Sequence, residues 1–408
     1  MPADSAAGPP RDRVTLGEAD RQATTAPRIL LNVHSGKLGG AERMALLEAD
    51  ALRSRFDLLV AIPEGPLRAR FAAHGELVGG TATLPLWGAS PRRWAASGVR
   101  TLLDAVSLAK LIRRRDVELV LTNSSVCLAA VLGARLAGVP VVVHARDVPK
   151  SRLAPLVLAL HGRLASTVIV IADQLKPYLR AARRTRVVRI YDGIVLPAQS
   201  TPARPAEFGR PLRLCLVGGI DPRKGQDVAV AALAQLREQG IAATLELVGR
   251  NVDERFAASV REDARRLGIA GYVDFVGETD DVDVRLAKAD IVIAPSRDEW
   301  TPLVLMEALA QARPVVASRV GAVAEIVRDG ESGLLVAPGS ASELASKVAA
   351  LASDPVAARA MAERGQGLIR AQFSIQGTLG GLEAEVDRLV APAQVPEERE
   401  RRRLQTVV

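Results

Sequence analysis

Cysteine is nearly absent from this sequence: Cys127 and Cys215 are the only two in 408 residues. They lie far apart in apolar surroundings, so no disulfide framework and no zinc spacing exists. Both are expected to be buried packing residues of a protein in a reducing, cytoplasmic setting. Aromatic residues make up only 3% of the chain. The arginine clusters have none interleaved, and no helix-turn-helix, zinc or RNP-like pattern occurs, so nucleic acid is not an expected partner. No long uninterrupted apolar run is present either. The best candidate, Leu153 to Ala172, is broken by His161 and Arg163 and reads as a packed helix followed by a strand. Residues 1–27 have no apolar centre of the kind a signal peptide needs, and read as a disordered tail. No repeat of solenoid period is found.

What is present is enough apolar content, 48% of residues, for sizeable cores. The length suits two domains. Charge divides unevenly. Residues 28–195 hold 25 Lys/Arg against 12 Asp/Glu, whereas residues 196–408 hold 26 against 30. The basic clusters Arg113-Arg114-Arg115 and Arg180 to Arg189 suggest a surface that meets an anionic acceptor or anionic membrane lipid.

From Arg28 onward, short β-branched runs alternate with helical segments. Strands are expected at 28–33, 57–62, 118–122, 139–144, 167–172 and 187–190. Several are apolar on both faces, as strands inside a parallel sheet must be. A Pro/Ala/Ser-rich stretch, 197–211, reads as a linker. Alternation restarts with strands at 212–217, 243–248, 272–276, 290–294, 314–318 and 334–336. Residues 355–392 look helical throughout, and 397–403 are a charge run. The expected division is a tail (1–27), a first α/β domain (28–196), a linker (197–211), a second α/β domain (212–365), C-terminal helices (366–395) and a charged tail (396–408). Two doubly wound parallel sheets would face each other across a cleft.

The densest chemistry lies in Pro295–Glu325. Glu299 follows an apolar strand, and Glu307 sits eight positions later inside an apolar helix. A carboxylate in such a helix needs a partner, and a ligand's hydroxyl pair is one. At the end of the first strand, His34-Ser-Gly-Lys-Leu-Gly-Gly-Ala-Glu42 sets Gly39 and Gly40 before a helix start, where free amides suit a phosphate. The strand ends at Asn123 and at His144-Ala-Arg146-Asp147 are further polar candidates. In the second half, Val217-Gly218-Gly-Ile-Asp-Pro-Arg223-Lys224-Gly225 joins close-approach glycines to cationic side chains. Gly249 and Gly277 end the next two strands. Asp281-Val-Asp283 stands where a helix start favours acids, so no metal site is expected.

These motifs resemble retaining glycosyltransferases of family 4 (glycosyl transferases group 1), which have the GT-B fold. The likeness rests on E-x7-E at Glu299 and Glu307, the GGAE loop at 39–42, H-x-R-D at 144–147, Tyr191-Asp-Gly-Ile194 and the Lys224-Gly225 loop. It implies two Rossmann-like domains, with C-terminal helices crossing back to the first. It also implies transfer from a nucleotide-diphosphate sugar to a hydroxyl acceptor, with a lipid-linked or polysaccharide precursor as the expected acceptor, without metal or other cofactor. Glu307 would hold the ribose and Glu299 the donor sugar. Lys224, Arg223, Gly218 and the amides of Trp300 and Thr301 would hold the diphosphate. Gly249 and Gly277 would face the phosphate-ribose and the base through their backbones. His144 would orient the sugar. Arg146 would pair with Asp147 or shape the acceptor side, and Asn123 would bind hydroxyls. The scarcity of cysteine suggests the cytoplasm, and the basic first domain suggests peripheral contact with the inner membrane face. Gly219 departs from the family, which has an arginine there. That departure leaves open a degenerate binding or scaffold subunit; a sugar-nucleotide epimerase is the other alternative.

Overall fold

The protein is described from a computed structural model covering residues 26–85, 90–146, 154–179, 184–197, 208, 210–299 and 301–390. The first sheet is β1 (Arg28–Asn32), β2 (Asp57–Ile62), β3 (Glu76–Gly79), β4 (Val117–Thr122), β5 (Val141–Ala145), β6 (Thr167–Val170) and β7 (Arg186–Arg189). All its pairings are parallel, in the order β3-β2-β1-β4-β5-β6-β7. Its helices are α1 (Gly40–Leu52), α2 (Arg68–Phe71), α3 (Pro91–Arg114), α4 (Leu128–Ala137) and α5 (Ala154–Leu164). A second parallel sheet joins β8 (Leu212–Val217), β9 (Ala243–Val248), β10 (Val273–Gly277), β11 (Ile291–Ala294), β12 (Val315–Ser318) and β13 (Leu334–Val336). Its order is β10-β9-β8-β11-β12-β13. Its helices are α6 (Gln226–Glu238), α7 (Glu254–Arg266), α8 (Val282–Lys288), α9 (Leu303–Ala310), α10 (Val323–Ile326), α11 (Ala341–Ser353) and α12 (Pro355–Gln372). Last comes α13 (Ile375–Leu389).

This is the expected GT-B architecture, and its strand orders locate the chemistry. Strand order reverses between β1 and β4 in the first sheet and between β8 and β11 in the second. Crevices open at such switch points, beyond the carboxyl ends of the strands. The polar motifs at 34–42, 218–225 and 295–301 all follow one of these four strands. The thiols behave as expected: Cys127 and Cys215 are buried, and neither is in a disulfide.

Three features depart from the sequence reading. β3 was not expected, because a short edge strand with a half-exposed pattern carries no alternation signal. The C-terminal segment is not helical throughout. Ser374 interrupts it and caps α13 by accepting from the Gly377 amide at 3.2 Å. Nor does residue 365 separate the two regions, since it lies within α12, which packs on α9 of the second domain. The change of domain falls at Phe373–Ser374.

α13 then returns to the first sheet. Leu382 and Val386 join the core formed by Ile29, Leu31 and Leu58. Glu385 accepts from Arg186 Nε at 2.9 Å. The two crossings of the chain are stitched together: Ile194 N donates to Phe373 O (2.9 Å), and Ile375 N donates to Ile194 O (2.8 Å). Gly193 permits this approach, because a Cβ there would lie 2.4 Å from Ser374 O.

His161 of α5 is fully buried in the first domain and bonded to the Ser125 carbonyl at 2.7 Å. Burial pushes its imidazole down to about 4 from 6.5. Between those values the unfolded chain takes up a proton that the folded chain refuses. Stability is therefore lost as pH falls from about 6.5 towards 4. Roughly 2.5 kcal/mol is expected to disappear from this group by pH 4.5. Urea titrations at pH 7.5 and 4.5 check it. In His161→Gln the acid-induced loss should shrink by that amount, and an equal loss in both proteins would contradict it.

Candidate active site

Among the described residues, α1 after Gly39, α6 after Gly225, α8 after Asp281 and α9 after Pro302 begin beside the cavities between the domains without a capping side chain. By contrast, α7, α11, α12 and α13 start on Asp253, Ser340, Asp354 and Ser374, whose side chains accept from their own first turns. Uncapped starts leave amide donors and a positive dipole end available to an anion. α1 and α9 meet across the domains, with the Cβ position of Gly40 only 3.9 Å from Leu303 Cδ1.

The loop after β8 is pressed against the end of β11. Gly225 has φ +72°, and a Cβ there would stand 2.2 Å from Pro295 O. Arg297 locks the two loops. It bonds both carboxylate oxygens of Asp227 at 2.8 and 2.6 Å, and its amide donates to Arg223 O at 2.7 Å. This brings Lys224 onto Glu299, with which it forms an ion pair. Two residues 75 positions apart in sequence thus share one corner of the cleft.

Gly218, Gly249 and Gly277 stand side by side at the ends of β8, β9 and β10. Gly218 N donates to Val248 O (2.8 Å), and Gly249 N donates to Gly277 O (2.9 Å). The strand ends therefore present a row of backbone, and the Lys224 side chain lies over Gly218, with Cδ 3.4 Å from its Cβ position.

A cavity of about 230 Å³ lies between the domains, bordered by Gly40, Asp192, Arg223, Glu299, Thr301 and Leu303. On the far side of Leu303 lies a second cavity of about 420 Å³, bordered by Arg43, Met44, Leu47, Asp283, Glu307 and Gln311. Its volume is in the range of small-molecule sites. Glu307 is 14% exposed and pairs with Arg43 of α1 at 3.0 Å, so an ion pair bridges the two domains. Burial raises the Glu307 carboxyl above its ordinary range; Arg43 opposes that rise and Asp283 adds to it. Arg43 engages Oε1 of Glu307.

The structure thus gathers Gly40, Arg223, Glu299 and Thr301 around one cavity and sets Glu307 at its neighbour, while Lys224 holds Glu299. Gly39 lies at the rim, where its Cβ position is 2.8 Å from Glu42 Oε2. Trp300 and Asp147 fall outside the described residues. The remaining expected residues are arranged differently. Asn123 does not face open cleft: it is fully buried, and its Oδ1 accepts from the His34 amide at 3.0 Å. His144 is likewise fully enclosed, with Nδ1 3.2 Å from Glu48 Oε1 and Nε2 without a hydrogen-bond partner among the described residues. Arg146 is committed to Asp192 (Nε to Oδ1 and Oδ2, both 3.0 Å) and to Glu48. It also borders the smaller cavity.

The buried quartet Glu48–His144–Arg146–Asp192 was missed as a unit. Burial would raise the Glu48 carboxyl, but Arg146 and His144 overcome it and bring the group to about 2. One signal was present in the sequence. Glu48 lies on the stripe Met44, Ala45, Glu48, Ala49, Leu52 that α1 buries, and an acid there requires a buried cation. Arg43 was missed too, one position beyond the GGAE loop. Nothing local marks a residue that acts by reaching another domain.

Two family models match the chain: Glycosyltransferase Family 4 over residues 38–196 and Glycosyl transferases group 1 over residues 211–354. The chain belongs to this family of GT-B glycosyltransferases. It is similar to the lipopolysaccharide core biosynthesis mannosyltransferase LpcC of Rhizobium leguminosarum, 32% identical over 45% of this chain and 52% of that protein. It is also similar to the GDP-mannose-dependent alpha-(1-6)-phosphatidylinositol monomannoside mannosyltransferase of Mycobacterium tuberculosis, 34% identical over 40% of this chain and 44% of the relative. These alignments span about half the length of those curated relatives. Among solved structures, Anabaena HepE in complex with UDP superposes with a TM-score of 0.74, covering 89% of this chain and 100% of HepE at 23% identity. That likeness concerns the fold.

Proposed function

We propose that this protein is a retaining glycosyltransferase that moves a sugar from a nucleotide-diphosphate sugar to a hydroxyl acceptor. The observation that carries the reading is the cleft corner itself. Lys224, Arg223 and the uncapped starts of α6 and α9 surround Glu299, and Glu307 lies one cavity away. Cations and helix amides suit a diphosphate, and a half-buried carboxylate suits a ribose diol. UDP in HepE and GDP-mannose in the name of the mycobacterial relative support a donor of this class.

In the proposed step, the bond between the anomeric carbon and the diphosphate oxygen breaks. The acceptor oxygen bonds to the same face, and its proton passes to the departing diphosphate. Lys224 and the helix amides stabilise the developing anion, with no metal required. Glu299 is engaged by Lys224 and serves to place the sugar rather than to attack it. A product with inverted linkage would sink this reading.

The first domain would present the acceptor. Its excess of basic residues favours an anionic, lipid-linked one, met at the inner membrane face. Among the described residues no helix is long and apolar enough to cross a membrane. A scaffold role is favoured by Gly219, where the family carries an arginine. Against it, Arg223 borders the same cavity as Glu299, and Gln226 Nε2 closes the loop on the Gly219 carbonyl at 3.0 Å.

The test is calorimetric binding of UDP, GDP and ADP in the presence of chelator, to the wild type and to Glu307→Ala. One nucleotide is expected to bind, weakened about tenfold or more in the variant, as befits loss of charge-assisted hydrogen bonds. No binding of any nucleotide to the wild type would overturn the transferase reading.

A further inference from the structure

Among the described residues, nothing covers one apolar face of α3. Thr101, Ala105, Leu108, Ala109 and Ile112 turn inward and pack on α4, where Gly133 lets the helices approach: its Cβ position is 3.1 Å from Leu108 Cβ. On the opposite side, Val99, Leu102, Leu103 and Val106 are 62%, 62%, 61% and 48% exposed. Their spacing of three, four and seven places them on one face over two turns. Single exposed aliphatics are ordinary, but a contiguous ridge of four is not.

The flanks of this ridge have one sign of charge. Arg92 and Arg93 precede it, and Lys110, Arg113 and Arg114 follow it, all exposed. The acid within this stretch, Asp104, is turned aside. It accepts from the Ala82 amide at 2.7 Å and pairs with Arg100 at 3.0 Å. Apolar side chains between basic ends, without an opposing acid, match the boundary between headgroups and acyl chains of an anionic bilayer. A partner protein with an apolar groove would not account for cations at both ends.

We propose that this face of α3 docks the protein on an anionic lipid surface. Val99, Leu102, Leu103 and Val106 enter the interface, and Arg92, Arg93, Lys110 and Arg114 meet headgroup phosphates beside Arg113, which also donates to the Leu136 carbonyl. The proposal rests on the transferase reading only for its purpose, bringing the first domain to an interfacial acceptor. Binding to lipid is independent of it.

The experiment is co-sedimentation of the full chain with phosphatidylcholine vesicles, with and without about one-third phosphatidylglycerol, at low and high salt. Alongside it, nucleotide binding is measured on the same preparations. The wild type is expected to bind the anionic vesicles, and weakly or not at all the neutral ones, with binding lost at high salt. Leu102→Glu/Leu103→Glu should lower partitioning by about 100-fold, with an unchanged circular dichroism spectrum and unchanged nucleotide affinity. Arg113→Ala/Arg114→Ala should lower it about tenfold on anionic vesicles. Equal binding by wild type and the Leu102/Leu103 variant would overturn the proposal. So would a wild-type dimer that the Leu102/Leu103 variant breaks, with no binding to vesicles. Loss of nucleotide binding with vesicle binding intact would instead count against the transferase reading.

Discussion

Lys224→Ala is expected to reduce kcat/KM for sugar transfer by about 1,000-fold. The argument is electrostatic. The ammonium stands at the corner formed by the β8 and β11 loops, where the diphosphate would depart. Removing one well-placed donor to a developing anion typically costs about 10²–10³-fold in rate. The substitution also frees Glu299, whose carboxylate would then repel the leaving group. The loss should fall mainly on kcat, because the α6 and α9 amides still hold the diphosphate in the ground state. Lys224→Arg keeps the charge but not the compact geometry, and should recover only part of the activity. Steady-state kinetics of the three proteins check this. A Lys224→Ala enzyme with near wild-type kcat would show that the helix amides alone carry the charge.

Arg146→Met is expected to lower stability by about 3–5 kcal/mol, the usual penalty for stranding buried charge. Arg146 holds Asp192 and Glu48 inside the first domain, where all three are nearly or fully buried. Without the guanidinium, two carboxylates remain in a low-dielectric interior with only His144 beside one of them. For a domain of this size the shift in Tm should be roughly 10 °C. The triple variant Glu48→Gln/Arg146→Met/Asp192→Asn removes the charges together and should regain much of the loss. Thermal unfolding of both variants is the measurement. If the single variant melted like the wild type, Arg146 would not be the group that balances these acids.

The two kinds of residue behind these predictions differed in how far the sequence revealed them. The alternation of apolar strands and helices was enough for two parallel sheets, because a strand buried on both faces has to be apolar throughout. The cleft glycines, Lys224 and Glu299 were legible because each stands after a strand, in a short loop whose backbone demands are local; Glu307 was legible because it interrupts the apolar run of α9. Asn123 and His144 stand at strand ends too, and the same reasoning placed them in open cleft. It failed because exposure at a strand end depends on what packs over it: His34 covers Asn123, and Glu48 with Arg146 encloses His144. Arg43 was invisible for a related reason. Its partner Glu307 is 264 residues away on the other domain.

α3 shows the same division within one helix. Its amphipathic spacing and basic ends can be read from the letters, yet either apolar stripe could have been the buried one. Packing against α4 assigned Leu108 and Ile112 to the core and left Leu102 and Leu103 outside. The sequence by itself determined the strands, the switch-point loops and the chemical types gathered at the cleft, because these follow from local periodicity and from the shape of a turn. Only the tertiary structure decided which charges face each other and which side chains meet solvent. Those outcomes depend on distances between segments remote along the chain, which no local pattern encodes.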